Sequence, residues 1–348
     1  LTLHATINSC LDMECEPDTS DSSSDSELED DSEIVDDGKL DRLEAKVIAN
    51  PNDYTAHREL IAGLRESANF EKLREARESF YSLLVLQKDD WIRWIEDESR
   101  LANVSSPDQV QKVIELCKRA TKDFQYIEIW ELYLRFVEHV YSRNIEPDNE
   151  DKKIFEESIK AVRNAYEDAL SHVGMHLAKG SSLWTKYLNF EISVHSTLKS
   201  KKAALNKQEE AVRSIAKRGL SIPLVGLEDL HETYTTWETA IGQTAHKDIE
   251  AALQTSLKQL SERKSFEDSI YKKQQEIQDD QNWQEQLELI QLWMSYIKFE
   301  VDSPENKKNP SRAVSLFERA VENVPNSVQL WQTYLNYLEQ KLGGRIVL

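Results

Sequence analysis

Few residues in this chain have the types and spacing that chemistry requires. His172 and His176 stand four apart, a spacing that can present two imidazoles to one metal from a single helical face. Gly174 lies between them, however, and favours a solvated turn. The stretch from Gly174 to Ser181 has the ingredients of a phosphate loop in the wrong order. Lys179 precedes Gly180, whereas a phosphate loop needs Gly-Lys-Ser/Thr between a strand and a helix. Cys10 and Cys15 have only His4 nearby, short of the roughly four ligands of a zinc site. Glu98, Glu191 and Glu300 each follow a tryptophan by seven residues. General acid–base work would ask each for a second convergent carboxylate, and none is indicated. They are expected to make an ion pair or hydrogen bond to a neighbouring helix. Cys117 is expected to be a buried thiol. No Gly-x-Gly-x-x-Gly, nucleophile elbow or His-Glu-x-x-His occurs. The expectation is a protein that is no enzyme, with no metal and no cofactor.

What the sequence does repeat is an aromatic phrase, Trp/Tyr-x-x-Tyr/Trp/His with a third side chain three residues on. It reads Trp91-x-x-Trp94, Trp130-x-x-Tyr133-x-x-Phe136, Trp184-x-x-Tyr187-x-x-Phe190-Glu191, Trp293-x-x-Tyr296-x-x-Phe299-Glu300 and Trp331-x-x-Tyr334-x-x-Tyr337. Weaker copies start at Tyr54, with His57, and at Tyr234, with Trp237 and no glutamate in the expected place. Only Trp283, of the 8 tryptophans, falls outside the phrase. Such spacing keeps the rings near one face of a helix. The rings could form a ligand-stacking surface, but the period is the one helix-pair packing demands, so they are expected to be interhelical core. Several copies start about 38 residues apart, enough for two helices and two turns; the steps between Trp130 and Trp293 are longer. The second helix of each pair has its own signal: Ala76-Arg77-x-x-Phe80, Val162-Arg163-x-x-Tyr166-x-x-Ala169-Leu170, Val212-Arg213-x-x-Ala216-x-x-Gly219-Leu220 and Phe317-Glu-Arg-Ala320-Val321, closed by Pro325. A bulky residue followed by a small one lets a neighbouring helix approach, and proline stops the helix. Asn50-Pro51 marks the end of one more helix, starting near Lys39.

A Trp-x-x-Tyr-x-x-Phe-Glu helix followed by an Arg-x-x-Phe/Tyr-x-x-Ala-Leu helix resembles the HAT (half-a-TPR) repeat of RNA-processing proteins. The resemblance covers residues 39–348, and Ser171–Gly180 and Leu220–Leu224 are similar to its spliceosomal recycling members. It implies an all-α solenoid of antiparallel helix pairs, about seven repeats long, and a nuclear scaffold for protein interactions. The work it implies is pre-mRNA splicing, through U4/U6 particle assembly or recycling. Implied partners are spliceosomal particle proteins and deubiquitinases, with RNA held indirectly or by domains that lie elsewhere. Two alternatives stay open: an array that binds RNA directly, and a scaffold of another RNA-processing complex such as 3′-end cleavage.

Charge and composition agree with a helical protein. Charged residues make up 30% of the chain and the net charge is −20, with only 9 glycines and 8 prolines in 348 residues. No apolar run reaches the roughly 20 residues needed to cross a bilayer, and no membrane partner is expected. The 3 cysteines are too few for a disulfide framework. Residues 1–38 hold 13 Asp/Glu and no Lys or Arg, which leaves −7 of the −20 for the rest. Such a segment buries too little apolar surface to fold, so residues 1–38 are expected to be a disordered acidic arm. Ser22, Ser24 and Ser26 each precede an acidic residue by three positions and are candidate phosphorylation sites; a purely solubilising tail is the alternative. Lys199, Lys201, Lys202 and Lys207, and Lys307, Lys308 and Arg312, are expected in solvated loops, or as a local patch for a partner's acidic segment. The helix begun at Trp331 has no partner helix before Leu348, so the HAT domain, 39–348, is expected to be truncated there; self-association in the resembled family belongs to later repeats, so the resemblance implies a monomer. The partner-binding surface itself is not legible.

Overall fold

The computed structural model describes residues 37–123, 125–145, 151–198, 202–277, 283–304 and 310–342. The acidic segment with Ser22, Ser24, Ser26, Cys10 and Cys15 lies outside them. Every element among the described residues is helical: fourteen α-helices and one 3-10 turn, Arg143–Ile145. The fold is an all-α array of helical repeats, divided into two compact units, Leu1–Val85 and Leu86–Leu348.

The first unit holds α1 (Asp37–Ala49), α2 (Tyr54–Glu66) and α3 (Phe70–Leu83). Asp53 caps α2 by accepting from the Ala56 amide, and Asn69 caps α3 by accepting from Lys72. Leu40, Leu43, Leu60, Leu64 and Leu73 form the core. Gly63 lets α1 come close, since a Cβ there would stand 2.8 Å from Leu40 Cδ2 and that side chain would have to shift. His57 stacks on Phe80 at 4.8 Å between ring centroids, and half-buried Tyr54 meets the same ring edge-on.

The second unit holds α4 (Lys88–Leu101), α5 (Pro107–Asp123), α6 (Ile127–Ser142), α7 (Lys152–Val173), α8 (Gly180–Thr197), α9 (Lys202–Leu220), α10 (Leu227–Ala240), α11 (Lys247–Glu276), α12 (Trp283–Asp302), α13 (Ser311–Asn323) and α14 (Val328–Leu342). The even-numbered helices carry the aromatic phrase and the odd-numbered ones carry the second signal. Apart from α10 and α11, neighbours in sequence pack together, and α4 packs on α6, α8 on α10 and α9 on α11, which is how a repeat array buries each amphipathic face. Proline opens α5 at the first helical position, where its missing N–H costs nothing. Asp151 caps α7 through the Lys153 and Ile154 amides. Small residues set the closest approaches: at Gly219 on α9, a Cβ would lie 2.7 Å from Leu230 and 3.1 Å from the Trp184 ring. Lys88, at the start of α4, reaches Glu322 at the end of α13 (3.4 Å) and Glu128 at the start of α6 (3.8 Å). Within this unit, then, the last helices return to the first.

Candidate functional site

The aromatic phrase forms one repeated contact. In three copies its second ring lies flat on the aromatic residue of the preceding odd helix: Tyr187 on Tyr166 (4.7 Å), Tyr296 on Phe266 (4.9 Å) and Tyr334 on Phe317 (4.9 Å). The third ring of each copy, Phe190, Phe299 or Tyr337, leans on the same partner. Trp91, Trp94, Trp130, Tyr133, Trp184, Tyr187, Tyr234, Trp237, Trp293, Tyr296 and Tyr334 are all buried. Tyr54 and Trp331 are half-buried, and Trp331 donates Nε1–H to the Pro325 carbonyl at 2.8 Å. Trp184 donates to Gly174 O at 3.0 Å, and Trp91 to Asp123 at 3.2 Å. Buried rings with internal partners offer no stacking platform for a ligand.

An arginine–glutamate fork accompanies the Tyr187 and Tyr296 stacks and recurs in the Tyr234 copy, whereas the Tyr334 copy has Val314 and Leu338 in those places. Arg163 forks onto Glu191 with bonds of 2.7 and 2.6 Å, Arg213 onto Glu238 with 2.7 and 3.0 Å, and Arg263 onto Glu300 with 2.9 and 3.1 Å. The bond to Glu191 raises the Arg163 pKa. Burial pushes the Glu238 carboxyl up, but hydrogen bonds from Arg213 and Tyr234 and the charge of Arg213 more than offset it, so it ends below its ordinary value. A second set of arginines lies over the tryptophans: Arg119 over Trp91 at 5.7 Å, Arg218 over Trp184 at 5.1 Å and Arg319 over Trp293 at 5.4 Å. Arg218 also forks onto Glu167, and Arg319 onto Glu267, on the preceding odd helix.

These pairs correct the register of the fifth copy. Tyr234 occupies the place of Tyr187, Trp237 that of Phe190 and Glu238 that of Glu191, so His231 stands where the other copies have tryptophan. The copy thus has its glutamate after all. A phrase search anchored on a large first ring starts it three residues late. Arg263-x-x-Phe266 on α11 and the Glu167 and Glu267 partners are further contact residues that the aromatic phrase does not mark. The Arg-x-x-aromatic signal at 263 and 266 matches that at 163 and 166, but it sits deep in a 30-residue helix, far from where a regular period would put it.

The other chemical candidates resolve into packing. His172 stacks on Trp130 at 5.0 Å and bonds the Asp168 carbonyl at 2.8 Å. His176 is half-buried; burial first, then Arg319 and Lys179, push its pKa down to about 4. Its Nδ1 accepts from the Lys179 amide. Among the described residues no group of three His, Cys, Asp or Glu side chains could hold a metal. Cys117 is buried, which pushes its thiol up to about 12. Gly174 to Gly180 forms the turn that receives the Trp184 indole. Arg312 lies not in a solvated loop but 3.6 Å from Glu300. Lys202 and Lys207 are exposed, and Lys199, Lys201, Lys307 and Lys308 fall outside the described residues.

Surfaces remain. A cleft of about 530 Å³ opens between α12 and α14, lined by Met294, Ile297, Val301 and Tyr337 over Phe317, with Lys298 and Asn336 at its rim. Trp283 and Leu287 continue the Met294–Val301 strip of α12 toward solvent, exposed by 73% and 40%. The outward face of the even helices changes along the array. It is arginine-rich on α4 and α6, carries serine and asparagine with Lys186 on α8, and opens with the acids Glu228, Asp229 and Glu232 on α10.

Known proteins are similar to this chain in sequence. The chain is 29% identical to the Spliceosome associated factor 3, U4/U6 recycling protein, of Mus musculus over 308 residues, 87% of this chain and 27% of that protein. The Homo sapiens protein of the same name matches at 29% over 309 residues, again 27% of its length. The mRNA 3'-end-processing protein RNA14 of Saccharomyces cerevisiae is 23% identical over 331 residues, 88% of this chain and 46% of that protein. The chain thus spans little more than a quarter of the spliceosome-associated relatives it matches. Residues 38–343 match the family described as Suppressor of forked protein (Suf). With that match, a repeated ring stack and a repeated arginine–glutamate fork, the chain belongs to the Suf family.

Proposed function

We propose that this chain is a protein-interaction scaffold in nuclear RNA processing, with an acidic arm at 1–38 and a HAT domain at 39–348. Its role in this reading is U4/U6 particle assembly or recycling. The observation that carries the proposal is the burial of the repeated rings and forks. They are spent on holding helices, and the outer faces are left for partners. The names of the relatives supply the process. Partners are spliceosomal particle proteins and deubiquitinases, and RNA is reached through them. A scaffold of 3′-end processing is the second reading, supported by the likeness to RNA14 proteins.

Affinity capture from nuclear extract, with and without nuclease, tests this. U4/U6 particle proteins retained after nuclease support the recycling role. Retention of 3′-end cleavage factors instead would transfer the chain to the second reading. Partners that vanish with nuclease would mean that RNA is the ligand. Sedimentation should show a monomer, and a dimer that persists on dilution would overturn that part.

A further inference from the structure

Arginines in the second unit divide by position. Arg119, Arg163, Arg213, Arg218, Arg263, Arg312 and Arg319 are paired with carboxylates or stacked on rings inside the array. Arg93, Arg100, Arg135 and Arg143 are exposed and have no partner among the described residues. All four come from α4 and from α6 with the turn that ends it, two helices that pack side by side.

Their spacing puts them on one face. Arg93 and Arg100 follow Trp91 by two and nine positions, seven apart, so they stack two turns apart on α4, about 10 Å along its axis. Arg135 follows Trp130 by five positions and stands at a level between them on α6, with exposed His139 and Arg143 one and two turns further. Packed helices lie about 8–10 Å apart. Four guanidiniums therefore share a small patch in a chain whose net charge is −20. The nearby acids are mostly engaged: Glu128 and Glu131 are held by Lys179 and Lys186, and Glu138 by Tyr166. The exceptions are Glu96, half-buried between Arg93 and Arg100, and exposed Asp89, one turn before Arg93, so the arginines outnumber the free acids two to one. On α8, beside Glu131, the exposed face continues as Lys186, Asn189 and Ser193.

We propose that this α4–α6 face is a docking site for an extended acidic peptide of a partner protein. The inference rests on the scaffold reading and names the chemistry of one partner segment. Planar guanidiniums bind carboxylates in two-bond forks. Carboxylates on alternate residues of an extended chain recur about every 7 Å, so two or three can engage this patch at once. The Asn189 amide and Ser193 hydroxyl on the adjoining face suit the peptide's own main chain. Phosphorylation of the peptide strengthens the contact by adding charge and acceptor oxygens. Acidic peptide is favoured over RNA by scale: nucleic acid needs a long run of positive surface, and this patch gives way within one helix to a neutral face on an acidic protein.

The test is a fluorescence-anisotropy titration of the full chain against a labelled peptide of about twelve residues with glutamate at alternate positions. The expected result is saturable binding that weakens as salt rises from about 50 to about 300 mM. Arg93→Glu with Arg135→Glu should weaken it by roughly tenfold or more, while Lys202→Glu with Lys207→Glu on α9 leaves it unchanged. Far-ultraviolet dichroism and melting curves of the variants establish that they are folded. No binding, or equal binding by both variants, overturns the proposal. An oligouridylate that binds more tightly than the peptide and loses affinity in the same α4–α6 variant overturns it in favour of RNA. Retention of particle proteins in the nuclease experiment alongside a failed titration would leave the scaffold reading standing and remove this site alone.

Discussion

Glu300→Ala is the most demanding perturbation of this architecture. Both members of the Arg263–Glu300 fork are only 2% exposed at the side chain. Arg263 also donates to the Gln259 carbonyl at 2.7 Å and lies over the Phe299 ring, and Arg312 stands 3.6 Å from the same carboxylate. Removing Glu300 strands a buried guanidinium and leaves two arginines facing each other. Breaking a buried pair from one side costs about 3–5 kcal/mol. An exposed pair such as Lys186–Glu131, 51% and 27% exposed, is worth about 0–1 kcal/mol. For a unit of this size, Glu300→Ala should lower Tm by roughly 6–15 °C, and Glu131→Ala by no more than about 3 °C. Urea denaturation followed by dichroism gives the free energies.

The three forks make an internal series, because their arginines differ in exposure: 2% for Arg263, 19% for Arg213 and 35% for Arg163. The cost of Glu→Ala should fall in that order, Glu300 before Glu238 before Glu191, as water reaches the orphaned charge more easily. Replacing both partners at once, Arg263→Met with Glu300→Leu, removes the stranded charge and should return stability to within about 1–2 kcal/mol of the parent. If Glu300→Ala is no worse than Glu131→Ala, or the double replacement costs the sum of both single ones, the fork is not the buried element argued for here.

Trp184→Ala should cost about 3–5 kcal/mol, because it empties a buried site and orphans Gly174 O, whereas Trp283→Ala, at the exposed start of α12, should stay within about 0.5 kcal/mol; equal effects in denaturation would contradict the division of tryptophans. Gly219→Ala should destabilise by about 1–3 kcal/mol, since its methyl meets Leu230 at 2.7 Å, and a neutral result would mean that α9 can move away freely. Cys117, buried with its thiol at about 12, should resist iodoacetamide until the protein is unfolded; rapid modification of the native chain at neutral pH would refute its burial. His176 has its pKa lowered to about 4, so the unfolded chain binds that proton first as pH falls below about 6.5. Stability should therefore decline between about pH 6.5 and 4, and His176→Asn should decline less, by at most about 3 kcal/mol at the acid end, as read from melts of both proteins across that window.

The helices were largely legible because period and composition act over long stretches. Trp184, Tyr187 and Phe190 share a helix face whatever surrounds them, and Asn50-Pro51 ends α1 by backbone chemistry alone. Pairing was less legible. That Glu191 and Glu300 would bond a neighbouring helix followed from their place after the phrase, but the identity of Arg163 and Arg263 depends on which turn of the odd helix lies alongside. The fifth copy misled for a related reason. His231 replaces the large first ring, and the eye moves to Tyr234, although the glutamate four residues after the second ring keeps its place in Glu238. The pairing rule, Arg on the odd helix to Glu on the next even helix, survives the loss of the tryptophan in the fifth copy, while the copy at Trp331 keeps its rings and has Leu338 in the glutamate's place, so ring and fork mark the repeat independently.

That rule also explains why exposed arginine carries information here. An arginine on an odd helix, in the Arg163 or Arg218 place, has a structural task and is consumed by it. The copies in α4 and α6 place arginine elsewhere, on the outward face of the even helices, where no repeated contact calls for one. Nothing in the packing of the array would be lost if Arg93, Arg100 and Arg135 were glutamine. A long, strongly cationic side chain kept in solvent at three such positions, in a chain that is otherwise acidic, adds nothing to the fold. What it does provide is a local charge opposite to that of the surrounding protein, which speeds encounter with a complementary segment and fixes where on the array that segment binds. On this argument, replacing the three by glutamine should leave melting temperature within about 2 °C of the parent while abolishing capture of the acidic peptide. A large loss of stability would show that these arginines belong to the architecture and not to a partner.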